Sequence, residues 1–234
     1  MSPEPEEARQ HLALALDVGE AGAALELAGE LSPYFAVAKV GLELFVAAGP
    51  PVVSALLSEG FDLFLDLKLH DIPSTVARAA ARAAALGVTY LTAHTAGGAA
   101  MLEAAVAGFS SESGRQRAGI LGVTVLTSEG EAARELLSAR AALAASCGCV
   151  GLVCAGPDLG ALPPSAGGLV KVVPGVRLAG SESHDQGRVT TPGDAIAAGG
   201  DILVIGRTVT KALDRRGAAA EVVAAVAGNS PRSG

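Results

Sequence analysis

Residues 61–73 read FDLFLDLKLHDIP. The opening FDLFL is the apolar run of a buried strand, and Asp66, Lys68, His70 and Asp71 follow directly on it. The chain is only 18% charged and holds four lysines. Such a concentration of charge at the end of a buried strand needs a place in the fold that tolerates it, so the fold must be settled first.

Working outward, the same kind of apolar run recurs on both sides. HLALALD (11–17), YFAVAKVG (34–41), FDLFLDLK (61–68), VTYLTAH (88–94), GILGVTVL (119–126), CVGLVC (149–154), GLVKVVPG (168–175) and DILVIG (201–206) are eight strand candidates. Between them lie Ala- and Leu-rich segments with high helix propensity, such as AALELAGELS (23–32), STVARAAARAAALG (74–87) and a stretch around 51–59. Gly60, Gly87 and Gly199–Gly200 fall where helix-to-strand turns belong. A spacing of roughly 22–35 residues suits parallel βα units, in either an eight-stranded barrel or an open doubly wound sheet. No composition break or long linker divides the run, which favours a single-domain α/β protein with a (β/α)8 barrel over 11–227. Residues 1–10 are expected to be a flexible lead and 228–234 a frayed tail. AGPDLGALPPSAG (155–167) leaves room for only a short helix after strand six.

Composition narrows the function classes. Half of the residues are apolar, but there is no Trp and only five Phe and two Tyr, so Ala, Leu, Val and Ile must build the core. A net charge of −7 argues against nucleic-acid and anionic-membrane partners, while a few focused arginines can still bind a small anion. Cys147, Cys149 and Cys154 crowd into eight residues as CxC plus one, with no nearby histidine. They read as reduced, buried thiols of a cytoplasmic protein rather than a metal or redox centre. The opening MSPEPEEAR has no basic, apolar signal pattern, and no run of 18 apolar residues marks a membrane span. No Walker A or GxGxxG loop points to ATP or NAD.

In a (β/α)8 barrel the active site lies at the C-terminal ends of the strands. The polar residues there are Asp17, Lys39, Asp66, Lys68, His94, Thr127 and Arg177, then Gly206 with Arg207. Strand residues two apart share a face, so Asp66 and Lys68 point together with Phe64 beneath them in the interior. Lys39 faces the same space from the neighbouring strand, and Asp71 opens the loop into the next helix. Charges of alternating sign stabilise one another and make such a set tolerable. The array can hold a cationic acid beside a carboxylate aimed at a substrate; the alternative is a salt-bridge network that merely closes the barrel. His70 reads as a structural hydrogen-bonding residue, and His94 equally as packing or as a polar link.

The far end of the chain offers anion chemistry. VIGRTVTKAL places Gly206 and Arg207 before a helix expected near Thr208, and helix N-termini after strands seven and eight of such barrels commonly take phosphate. The loop VPGVRLAGSESHDQGRVTTP adds Arg177, Gln186 and Arg188 and suits a lid over an anionic ligand.

LALALD, VAKVG, FLDLKLHDIPST, HTAGG, VTVLTS, VVPGVR, DQGR and VIGRTVT, in this order from about residue 12 to residue 213, resemble the bacterial-type orotidine 5′-phosphate decarboxylases. DLKxHDIP with Thr75 two residues on is the most specific element. The resemblance implies a homodimeric barrel that converts orotidine 5′-monophosphate to UMP and CO₂, the last step of pyrimidine nucleotide synthesis, without cofactor or metal. By the same resemblance Lys68 protonates C6 of the pyrimidine, Asp66 sits against the substrate carboxylate, and Lys39 and Asp71 complete the array. Asp71 and Thr75 would reach across the dimer interface to the neighbour's ribose, and Asp17 and Lys39 would bind ribose hydroxyls. Thr127 matches a substrate contact, while Arg177, Gln186, Gly206 and Arg207 match the phosphate and its loop.

Three positions depart from the pattern: Ser74 for Asn, Thr208 for Pro, and Thr95 where Ala or Ser is common. None removes a member of the charged array, and Thr208 remains a reasonable N-cap. Two other readings stay open at this point. One is a Mg²⁺-dependent sugar-phosphate lyase or synthase such as hexulose-phosphate synthase, which shares the Asp-x-Lys strand end. The other is a non-catalytic barrel that binds a phosphorylated ligand.

Overall fold

Eight short parallel strands close on one another in a computed structural model of the chain, which describes residues 5–113, 118–125, 134–178 and 190–228. They are β1 (Leu12–Ala15), β2 (Val37–Gly41), β3 (Asp62–Leu69), β4 (Tyr90–His94), β5 (Gly119–Val123), β6 (Gly151–Val153), β7 (Val170–Val173) and β8 (Ile202–Ile205). The pairing Leu12↔Leu203 between β1 and β8 completes the ring and decides for a barrel over an open sheet. The helices are α1 (Pro5–Arg9), α2 (Ala21–Leu31), α3 (Leu42–Ala48), α4 (Pro50–Ser58), α5 (Pro73–Ala85), α6 (Gly98–Ser110), α7 (Arg134–Ser146), α8 (Pro192–Ala197), α9 (Arg207–Thr210) and α10 (Arg215–Ala227).

Alternation along each strand divides the core in two. Ala13, Ala15, Val37, Phe64, Tyr90, Leu121, Val172, Ile202 and Val204 fill the barrel interior. Leu12, Leu14, Leu63, Leu65, Leu203 and Ile205 face outward into the larger layer beneath the helices. The anticipated turns fall where glycine is needed: Gly60, Gly87 and Gly199 carry φ of 90°, 86° and 94°, each at a helix-to-strand turn, where a Cβ would be strained.

Several local expectations are corrected. The segment 1–10 is not loose from Pro5 on: α1 packs against α10, Ala8 is fully buried, and the Arg9 carbonyl accepts from the Ala36 N–H at 3.2 Å. Helix α3 begins straight out of β2 with Gly41 as an uncapped N-terminus, so no capping residue announces it in the sequence. After β6 the room expected for only a short helix holds two short 3-10 helices, Gly156–Ala161 and Pro164–Ala166. Beyond Gly228 the tail lies outside the described residues. Among the described residues, no helix is long and apolar enough to cross a membrane.

The irregular strand is β3. Leu65 pairs with Leu91 and Leu69 with Ala93, so β3 spends four residues where β4 spends two. Lys68 absorbs this bulge at φ 50°, the only non-glycine with positive φ among the described residues. The insertion is an even number of residues, so inside–outside parity survives it and Asp66 and Lys68 still share the interior face.

Candidate active site

The barrel mouth holds a cavity of about 220 Å³. Its charged walls come from β1–β3 and from the segments after β7 and β8, as Asp17, Lys39, Asp66 and Lys68 on the one hand and Arg177 and Arg207 on the other. Phe64 lies one pleat repeat below Asp66 and lines both the cavity and the barrel interior.

The first four groups form an alternating chain. Lys39 Nζ donates to Asp17 Oδ1 at 2.9 Å and stands 3.9 Å from Asp66 Oδ2. Lys68 Nζ donates to the same Asp66 oxygen at 2.7 Å. Lys39 is in mid-strand rather than at a strand end, and its side chain is only 10% exposed. Alone it would carry a large desolvation cost, and the two carboxylates offset it. Asp17 extends the inward parity of Ala13 and Ala15, and Leu16 N–H still bonds the Lys39 carbonyl at 3.0 Å, so β1 and β2 stay paired beyond the last strand residue. Gly41 keeps the room for this contact: a Cβ there would stand 3.3 Å from both Asp17 Oδ1 and Lys39 Nζ.

The second Asp66 oxygen is held by a residue the sequence did not single out. Thr92 Oγ1 donates to Asp66 Oδ1 at 3.0 Å and accepts from the Lys68 backbone N–H at 2.8 Å. Its one legible signal was a threonine at an inward position of a strand otherwise read as apolar.

Asp71 does not join the array of its own chain. It is exposed, lies outside the cavity lining, and its Oδ1 accepts from the Ile72 N–H at 2.6 Å. Within one chain the alternating set is therefore Asp17–Lys39–Asp66–Lys68. Thr75 sits in the first turn of α5, its N–H on the Ile72 carbonyl, and is likewise absent from the cavity lining. Ser74 is exposed.

On the anion side, the Arg177 N–H bonds the Thr190 carbonyl at 2.9 Å, and Val176 bridges Thr190, so the base of the long loop is fixed at both ends. Gly206 and Arg207 line the cavity at the start of α9, which begins at Arg207. Thr208 is therefore not the N-cap; its hydroxyl donates to the Val176 carbonyl at 3.5 Å and ties this turn to the segment after β7. Thr127, Gln186 and Arg188 lie outside the described residues.

His70 and His94 stack with centroids 5.7 Å apart and planes at 25°, and His94 Nδ1 accepts from the Ala96 N–H at 3.4 Å. Thr95 is buried and donates to the Val123 carbonyl at 2.7 Å, which gives its extra bulk a bond between β4 and β5. All three cysteines are buried thiols outside any disulfide. Burial pushes the Cys149 thiol up to about 12 and raises that of Cys147, so both are inert at neutral pH.

Two arginines and an ammonium–carboxylate pair thus share one mouth, which suits a phosphorylated substrate that develops charge away from its phosphate. Comparison with known proteins agrees. A family model described as "Orotidine 5′-phosphate decarboxylase / HUMPS family" matches residues 10–222. The orotidine 5′-phosphate decarboxylase of Halorhodospira halophila is 44% identical over 227 residues, covering 92% of this chain and 95% of that one. That of Alkalilimnicola ehrlichii is 45% identical over 212 residues, covering 86% and 89%. The crystal structure of orotidine 5′-phosphate decarboxylase from Lactobacillus acidophilus matches with a TM-score of 0.80 at 30% identity, over 93% of this chain and 99% of that one.

Proposed function

The chain belongs to the orotidine 5′-phosphate decarboxylase / HUMPS family, and from that membership we propose how its mouth decarboxylates orotidine 5′-monophosphate to UMP and CO₂. The observation that carries the residue assignment is the 2.7 Å Lys68–Asp66 pair, set at a bulge in a mouth that also presents Arg177 and Arg207.

The bond from C6 to the carboxylate carbon breaks and its electron pair stays on C6, where no conjugated acceptor spreads it. A preorganised ammonium next to C6 stabilises that charge directly. The Lys68 proton then passes to C6, giving UMP, and the neutral amine regains a proton from solvent. Asp66 anchors Lys68 and lies beside the leaving carboxylate, which adds ground-state repulsion. Lys39, 3.9 Å from Asp66, continues the alternating array and, with Asp17, takes the ribose hydroxyls. Gly206 and Arg207, with Arg177 and Gln186 from the preceding loop, take the phosphate, and Thr127 contacts the base. Phosphate binding is remote from C6, and its energy reaches the transition state through closure of the site.

The same reading makes the enzyme a cytoplasmic homodimer in which Asp71 and Thr75 serve the neighbouring site. It is supported by Asp71 lying exposed outside its own cavity, and by apolar side chains left exposed on α3 and at the start of α5. These are Leu42 at 54%, Val46 at 82% and Ile72 at 63%. Reduced, buried thiols agree with a cytoplasmic setting.

The test is a spectrophotometric one. Purified protein in excess chelator is mixed with orotidine 5′-monophosphate, and ultraviolet absorbance should fall as UMP forms. No fall, with turnover of a sugar phosphate on adding Mg²⁺, would replace this reading with the lyase or synthase one.

A further inference from the structure

We infer that Thr92 is the positioning residue of the Asp66–Lys68 pair, acting on both partners through one buried hydroxyl. Thr92 is fully buried at the inward position of β4 opposite the bulge in β3. Its proton goes to Asp66 Oδ1 at 3.0 Å, while Lys68 Nζ holds Oδ2 at 2.7 Å, so both carboxylate oxygens are fixed and the group cannot rotate. Its lone pair accepts the Lys68 N–H at 2.8 Å. That second bond sits where the ladder is interrupted, because the bulge denies Lys68 a regular strand partner. It also falls on a residue at φ 50°, a conformation that a β-carbon disfavours and that surrounding contacts must maintain.

One hydroxyl therefore does two jobs that no apolar side chain can do. Valine has nearly the same shape, but it leaves the Lys68 N–H without its acceptor and one Asp66 oxygen without its donor. Both losses act on the direction of the Lys68 ammonium, which matters most when C6 carries charge, and far less on the phosphate and ribose contacts. The inference rests on the assignment of Lys68 as the proton donor.

The experiment compares kcat and KM for orotidine 5′-monophosphate in Thr92→Val, Thr92→Ser, Thr92→Ala and Lys68→Ala. Loss of a hydrogen bond to a charged group predicts that Thr92→Val lowers kcat by about 10- to 100-fold with KM within about threefold. Thr92→Ser keeps both bonding functions and should stay within about threefold of the parent kcat. Serine and alanine variants both lack the methyl group and differ only in the hydroxyl, so their kcat ratio carries the test if the valine variant does not fold. A valine variant with parental kcat, or serine and alanine variants of equal kcat, overturns the assignment. Turnover retained in Lys68→Ala would instead sink the underlying reading, and an inactive Lys68→Ala beside a normal Thr92→Val would sink the inference alone.

Discussion

Replacing Lys68 with alanine separates catalysis from binding, and its magnitude can be worked from the site. The side chain is 34% exposed and its ammonium lies 2.7 Å from Asp66. After its removal Asp66 keeps Lys39 at 3.9 Å and the Thr92 hydroxyl at 3.0 Å. The fold should therefore lose less than the roughly 3–5 kcal/mol of a buried charge left alone. The chemical step loses more. A unit charge about 4 Å from the developing charge is worth about 4 kcal/mol at an effective dielectric near 20, or about 10³ in rate. Loss of the proton donor adds about 10²–10⁴. The kcat measured by the absorbance fall should drop on the order of 10⁵–10⁷-fold. Affinity for UMP, measured by calorimetry, should change by less than about tenfold, because UMP has no charge at C6. A loss in kcat of under about 100-fold, or equal losses in kcat and UMP affinity, would refute the role of Lys68 in the transition state.

Two further predictions concern the dimer and the core. Mixing inactive Lys68→Ala and Asp71→Ala proteins under exchange should restore about a quarter of parental activity, since a two-fold heterodimer regains one intact site; no recovery would mean that Asp71 serves its own subunit. Cys149 predicts alkaline sensitivity. Its folded-state value, raised from 9.0 to about 12, exceeds that of the unfolded chain. The native state thus holds a proton that the unfolded state has lost, and the stabilisation present below about pH 9 disappears as pH rises toward 12. The unfolding free energy from urea titrations should fall by about 1.4 kcal/mol per pH unit more in the parent than in Cys149→Ala over that window. Parallel slopes would refute it.

The strand and turn pattern was legible because it is local. Alternation in DLFLDLK and VAKVG follows from the pleat, and Gly60 and Gly87 mark turns that only an unhindered backbone makes easily. From those elements alone the polar strand ends marked the chemical end of the barrel, and Asp66, Lys68 and Lys39 do meet in its mouth. The helix expected near Thr208 does begin there, at Arg207, directly after Gly206. Helix α1 escaped notice because its stability comes from packing on α10, a contact more than 200 positions away.

The sequence by itself therefore determined the periodic elements, the face each side chain takes, and the residue types available at one end of the barrel. Tertiary structure alone decided closure through Leu12↔Leu203 and the bulge that puts Lys68 at φ 50°. It also decided that, within one chain, Asp17 rather than Asp71 pairs with Lys39, and that Thr92 holds both Asp66 and the Lys68 backbone. The physical reason is distance along the chain. Parity is set by the covalent geometry of adjacent residues, whereas register, closure and the partners of each buried charge are set by strands that meet only when the ring is complete.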